Sequence, residues 1–386
     1  MNRREFCRQL TVLGGSVALG PLLKACAPDN APPAAPAATQ TASDPTAALP
    51  LTDGAAGEAT ASATKSPTPT EEASPTAAPT QEMQAAPLSG AVALIATTDR
   101  AEGVRRALRL LDVNPARGNR VLLKPNLNSA DPSPGATHPD ILRTLTETLL
   151  DMGARSITVG DRSGMGNTRA VMQQLGVYGL TDRLGLETLV FDELEAAEWV
   201  VRQSGDFHWQ NGFAVPRALL DSECVVQTCN LKTHRYGGHF TMALKNSVGF
   251  AAKYAGNGHN YMHEVHNSPY QREMIAEINT AYSPGLIVMD GVEAFVRGGP
   301  AQGEKAATQV ILAATDPVAI DAVGVAILRL FGTTPEVSAG AVFDQAQIAR
   351  AAELELGVRG PEEIVILSDD PAGASYAERI RAVLSS

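Results

Sequence analysis

Three observations predict an α/β domain, a mostly parallel sheet with helices on both faces. From Ala91 onward, short β-rich apolar runs alternate with amphipathic helical windows, the pattern of strand–helix–strand units. The runs end at glycine, proline or a charged residue, where a buried strand reaches solvent. No internal repeat or linker interrupts residues 91–386, which read as one domain.

The elements follow in order. Ala91 to Ala96 is the first strand, and Asp99 caps a helix whose Val104, Ala107, Leu108 and Leu111 recur at helical spacing. Arg120 to Leu123 is the second strand, stopped by Pro125. After a Pro- and Gly-rich loop, a helix from Pro139 to Met152 aligns Ile141, Leu145 and Leu149, and Gly153 ends it. Ser156 to Val159 is a strand leading into Gly160-Asp161-Arg162-Ser163-Gly164-Met165-Gly166. That Gly-x-Gly pair suits close approach of an anion but lacks the third glycine of a dinucleotide fingerprint. Leu186 to Phe191 is a further strand. Glu195 to His266 is irregular enough to be an inserted subdomain, with Trp199, Phe207 and Trp209 as its cluster.

Cys224 to Thr228 is a strand, and Thr241 to Lys253 and Tyr270 to Tyr282 are expected helices. Gly285 to Met289 and Gln309 to Ala314 are strands flanking a glycine-rich loop, Gly298 to Gly303, expected to be mobile. Asp316 as N-cap and Pro317 at the first position start a helix to Phe331. A helix from Phe343 to Leu354 and an edge strand from Glu363 to Leu367 complete the pattern.

Residues 1–90 differ in kind. Arg3-Arg4 before a short apolar stretch, Leu10 to Leu23, resembles a twin-arginine export signal, too short to span a bilayer. Leu22-Leu23-Lys24-Ala25-Cys26 is similar to a lipoprotein cleavage box, with Lys24 departing from it. Residues 1–26 are therefore expected to be a signal peptide. Two outcomes stay open: lipidation of Cys26, or simple cleavage and release. Residues 27–90, dominated by Ala, Pro, Thr and Ser, cannot offset their ordering entropy and read as a disordered tether. Flexible-chain scaling gives it a reach of about 45 Å. The expected partners are the twin-arginine translocation machinery and a membrane reached through a lipid anchor, on the outer side of the cytoplasmic membrane. Of the net charge of −11, the leader carries +3 and the tether −6, leaving −8 on the body, which argues against nucleic acid as a partner.

The chemistry-bearing residues collect at strand ends. Lys124, Asp161, Asp192, Lys232, Asp290 and Asp316 each stand at or just past one, where ligands bind in open α/β sheets. The stretch Cys229 to Gly249 adds His234, His239, Thr241, Lys245 and Asn246 around Gly237-Gly238. Lys124, Lys232 and Lys245, with Asn126, Thr241 and Asn246, form a candidate pocket for a carboxylate or phosphate; the competing reading pairs each lysine with a strand-end aspartate. His234, His239, Lys245 and Asp290 are the candidate catalytic groups. His234, His239, Asp316 and Asp321 are a candidate divalent-metal set, imidazole plus carboxylate. His263 and His266, which share helical spacing with His259, are further metal candidates or surface histidines bonded to backbone. Cys224 and Cys229 fit no redox or zinc spacing and read as small buried residues.

Lys124-Pro125-Asn126-Leu127, Lys232-Thr233-His234, Leu244-Lys245-Asn246 with Gly249, Asp290-Gly291, Gly299-Pro300 with Gly303, and Asp316-Pro317-Val318-Ala319-Ile320-Asp321 occur in one order. In that order they resemble the domain-of-unknown-function 362 family over residues 91–367. The resemblance implies no settled reaction. Many members carry a ferredoxin-like segment with cysteines for iron–sulfur clusters; no Cys-x-x-Cys-x-x-Cys run occurs here, so such a cluster is not implied. Two functions are expected: an exported enzyme acting on a small anion, metal-dependent in one version, or a non-catalytic ligand- or cofactor-binding lipoprotein.

Overall fold

The computed structural model describes residues 90–386; the leader, Cys26 and the rest of the tether lie outside them. Twelve strands are described: β1 Ala91–Ala96, β2 Arg120–Lys124, β3 Ser156–Asp161, β4 Glu187–Val190, β5 Trp199–Arg202, β6 Phe213–Pro216, β7 Cys224–His234, β8 His239–Thr241, β9 Pro284–Gly298, β10 Gly303–Ala306, β11 Val310–Ala314 and β12 Val365–Leu367. The main sheet runs β12-β1-β11-β9-β7-β2-β3-β4, with β10 added to β9 and β8 to β7. The pairs β12/β1, β9/β7, β7/β2, β2/β3 and β3/β4 are parallel. The fold is thus α/β with a mostly parallel sheet, as expected.

Alternate residues of the central strands feed two separate cores, because side chains alternate across a sheet. Leu231, Met289 and Leu312 face one core with the helix Pro317–Leu330, while Val226, Val288 and Ile311 face the other with the helices Arg100–Leu111 and Pro139–Asp151. A third cluster lies around Trp209, Phe213 and Tyr261, over a separate two-stranded sheet of β5 and β6. That small sheet falls in the span Glu195 to His266 expected to be an inserted subdomain, but β7 and β8 of the same span belong to the main sheet, so the span as a whole is not an insert.

Four expectations change. β7 does not stop at Thr228 but continues as a fully buried strand to His234, because β9 on one side and β8 on the other keep pairing with it: Lys232 lies opposite Phe295 and Thr241. Thr241 to Lys253 is not a helix but one α-turn, Ala243–Asn246, and a 3-10 turn, Ser247–Gly249. Side chains claim the carbonyls a longer helix would use: Asn279 and Ser247 donate to Leu244 O, and the Arg162 guanidinium donates to Val248 O and Ala251 O. Gly298 to Gly303 is the turn of a hairpin seated on β7, where Thr233 Oγ1 donates to Phe295 O at 3.1 Å. The helix Pro371–Leu384, capped by Asp370, is an addition to the predicted elements rather than a change in one of them.

The fourth change is one of direction. β11 is antiparallel to both its neighbours, β1 and β9. Its carboxyl end therefore points to the opposite sheet edge from the carboxyl ends of β2, β3, β7 and β9. Asp316, which follows it, leaves the edge where Lys124 and Lys232 stand.

Candidate functional site

At the carboxyl edge of β2, β3 and β7 lies a cavity of about 630 Å³, the size of a small-ligand pocket. β2 delivers Lys124 and Asn126, β3 delivers Asp161 and Arg162, and β7 delivers Lys232 and His234. β8 and the two turns after it bring Thr241, Lys245, Asn246 and Gly249. The loop containing Gly164 and Gly166, His266 on the helix Tyr261–Asn267, and Pro300 of the hairpin complete the wall.

The three lysines sit in three different environments. Lys124 is paired: its Nζ donates to Asp161 Oδ1 at 2.6 Å, to Pro125 O at 2.9 Å and to Asn246 Oδ1 at 3.2 Å. Asp161 is saturated in turn, accepting from the amides of Leu127 and Arg162. Gly249 makes this pair sterically feasible, since a Cβ there would overlap Asp161 Oδ1 and stand 2.5 Å from Lys124 Nζ.

Lys232 is also fully buried, but its Nζ meets only neutral oxygens: Gly135 O at 2.6 Å, Asn126 Oδ1 at 2.9 Å and Pro300 O at 3.2 Å. Burial and the charge of Lys245 pull it down to about 7. Its three acceptors match the three N–H donors of the ammonium, so the contacts favour the charged form against the burial that lowers it. Lys245 has no hydrogen-bond partner on Nζ among the described residues; burial, and then the Arg162 charge, lower it to about 8. Arg162 is buried as well, and its guanidinium is spent on the carbonyls of Ala251 and Val248.

Asparagines join these charges. Asn126 Oδ1 accepts from Lys232 and its Nδ2 donates to Asn246 Oδ1 at 3.4 Å, which also accepts from Lys124. Asn246 Nδ2 donates to Gln227 Oε1 at 3.0 Å. The asparagines thus link Lys124 and Lys232 into one network, with Lys245 and Arg162 beside it, and Asp161 is the buried carboxylate of the cavity lining; Asp192, at the exposed rim, accepts from Thr168 Oγ1. Thr241 Oγ1 is buried without a partner.

His234 lines the cavity in the neutral form, because burial, then Lys245 and Lys232, push its imidazole far below the usual range. Its Nδ1 accepts the amide of Tyr236 at 3.3 Å, so the ring proton sits on Nε2. His234 is therefore a donor to the cavity, where sequence reasoning left metal ligand or base open.

The expected sites thus divide. Lys124, Asn126, Lys232, His234, Thr241, Lys245 and Asn246 come together. Asp290 does not line the cavity: it is 1% exposed and bound to Arg100 Nε at 2.8 Å, Ser133 Oγ at 3.2 Å and the Val292 amide at 3.0 Å. His239, although opposite His234 in register, sits half-buried near Arg272 and Glu336, away from the cavity. The metal set does not assemble. Asp316 caps the helix Pro317–Leu330 and accepts from the Val318, Ala319 and Val358 amides; Asp321 accepts from the Ala243 and Leu244 amides at 2.7 and 3.0 Å. These carboxylates do structural work, and among the described residues no three His, Cys, Asp or Glu side chains are grouped to hold a metal ion. His263 is exposed outside the cavity. His266 reaches the cavity, its Nδ1 held by Met262 O at 2.6 Å. Cys224 and Cys229 are buried free thiols, Cys224 raised to about 11 by burial.

Sequence reasoning passed over Arg162 and named Asp161 at a strand end without giving it a role. The order of the sheet could have recovered both, since β3 lies directly beside β2 and places Asp161 next to Lys124.

The model of the domain of unknown function DUF362 matches residues 121–326, a span that contains every residue of this cavity wall. The chain belongs to the DUF362 family. Among curated proteins, a thylakoid-associated protein of Synechocystis sp. is 27% identical over 258 residues, or 64% of this chain and 75% of the relative. Among solved structures, the lactate racemase apoprotein from Thermoanaerobacterium thermosaccharolyticum aligns with a TM-score of 0.33 and 14% identity. That alignment covers 54% of this chain and about half, 51%, of the racemase.

Proposed function

We propose that this DUF362 protein is an enzyme acting on a small carboxylate or phosphate held in the cavity at the ends of β2, β3 and β7. The observation that carries this reading is the charge imbalance: among the described residues Lys124 is in direct contact with a carboxylate, Asp161, whereas Lys232, Lys245 and Arg162 are buried with no carboxylate in salt-bridge contact, Asp192 and Asp131 acting on Arg162 and Lys232 only from further away. A buried cation costs free energy unless an opposite charge compensates it, and an anionic ligand is the compensating charge. Lys232 supplies positive charge, the unpartnered Thr241 Oγ1 supplies a hydrogen bond, Asn246 holds Lys124 and Asn126 in place, and the neutral His234 donates from Nε2 to the reacting oxygen. Lys245, lowered to about 8 and free of hydrogen bonds on Nζ among the described residues, is the cavity lysine that can lose a proton without breaking a contact, which suits it to proton transfer.

Calorimetric titration with pyruvate and with inorganic phosphate tests the reading: Lys245→Met should weaken binding at least tenfold, and unchanged affinity would refute it. Binding with no turnover of any carboxylate tried would favour the non-catalytic alternative. On the leader and tether we propose export through the twin-arginine route and anchoring at Cys26 on the outer side of the membrane. Mass spectrometry of the protein isolated from membranes tests this; an unmodified amino terminus upstream of Cys26 would refute it.

A further inference from the structure

One wall of the cavity fits covalent capture of a ligand better than charge pairing alone. The stem of Lys245 is fixed by the backbone at Gly238: a Cβ there would come 2.7 Å from Lys245 Cε and 3.1 Å from His234 Nδ1, so both side chains pack directly on this glycine. The amine so positioned has no hydrogen-bond partner among the described residues, in contrast to Lys124 and Lys232, each held by three acceptors. A buried amine that readily gives up its proton is the form of lysine that attacks carbonyl carbon. Around it stand two groups the amine would need: His234, whose Nε2–H is a neutral donor, and Thr241 Oγ1, buried and unpartnered.

We propose that Lys245 forms an imine with a 2-oxo acid, a small molecule that carries a carboxylate and a reactive carbonyl side by side. The inference rests on reading the cavity as an anion site. The carboxylate lies in the field of Lys232 and Arg162 and bonds to Thr241; the carbonyl oxygen accepts from His234 Nε2. The Nζ lone pair adds to the carbonyl carbon, and the carbonyl π pair moves to oxygen. That oxygen then departs as water with the two hydrogens that leave Nζ, so amine and ketone give imine and water with no other reactant.

Reductive trapping tests this on the full chain. Incubation with pyruvate and cyanoborohydride followed by peptide mapping should place a saturable N-carboxyethyl group on Lys245, formed at least tenfold faster than on Lys305, which is exposed and outside the cavity. Lys245→Arg, which keeps the charge and the fold, should lose that label. Labelling of Lys245 no faster than of Lys305 would overturn the proposal. Calorimetry separates the two readings: pyruvate binding without the label refutes the imine and leaves the anion site standing, whereas absence of both refutes the anion site as well.

Discussion

Lys124 and Lys245 line the same cavity and are both buried, 1% and 7% exposed, yet they teach opposite lessons. Lys124 has Asp161, a backbone carbonyl and an asparagine around it; its charge is answered inside the protein, and it holds the ends of β2 and β3 together. Lys245 has no such partner, so keeping it protonated and buried costs stability that the fold does not recover by itself. Sites for ligands are where such costs are tolerated. Lys232 lies between the two: its hydrogen bonds are satisfied, its charge is not.

The comparison can be broken at its paired end first. Asp161→Ala removes the counter-charge of Lys124 and two amide acceptor contacts, and should cost ~3 to 5 kcal/mol in chemical denaturation. Gly249→Ala drives a methyl into the same pair and should cost about 1 to 3 kcal/mol, with most of the loss recovered if Lys124 and Asp161 are first replaced by smaller apolar residues. Lys232→Met orphans three buried acceptors, so it should lose both anion affinity and about 1 to 3 kcal/mol of stability.

At the unpaired end the sign reverses. Lys245→Met removes an uncompensated buried charge and should leave stability unchanged or slightly raised. The pH dependence follows from the direction of the shift. With a folded-state value of about 8 below the ordinary 10.5, the unfolded chain binds more protons between those values, so stability rises with pH across that window. The cost of Lys245 is fully present below pH 8. Denaturation curves from pH 7 to 10.5 should show this rise in the wild type and a smaller one in Lys245→Met, while anion affinity falls above pH 8 as the ammonium is lost. The smallest effect on binding is expected for Asp290→Asn, which loosens Arg100 and Ser133 but touches nothing in the cavity.

Why some of this was legible in sequence and some was not has a physical basis. The sheet shows in the alternation of apolar runs and helical windows, and Lys124, Asn126, Lys232, Lys245 and Asn246 are brought together because β2 and β7 are parallel neighbours. Strand direction is not written in a short apolar run. Val310 to Ala314 looks the same whichever way it points, and its reversal takes Asp316 to the other edge. Asp290 ends an apolar run as Lys124 does, but β9 continues past it and Arg100, 190 residues away in sequence, claims its carboxylate. The expected helix after Thr241 fails for a similar reason: Arg162 and Asn279, remote in sequence, take the carbonyls that would have extended it.

The central claim is that the cavity lacks a charge which an anionic ligand supplies. Titration of pyruvate into wild type and Lys245→Met, paired with denaturation of both, tests it most directly. The account predicts at least tenfold weaker binding in Lys245→Met with unfolding free energy equal to or above wild type. Undiminished binding, or a loss of binding that merely follows a loss of stability, would contradict it.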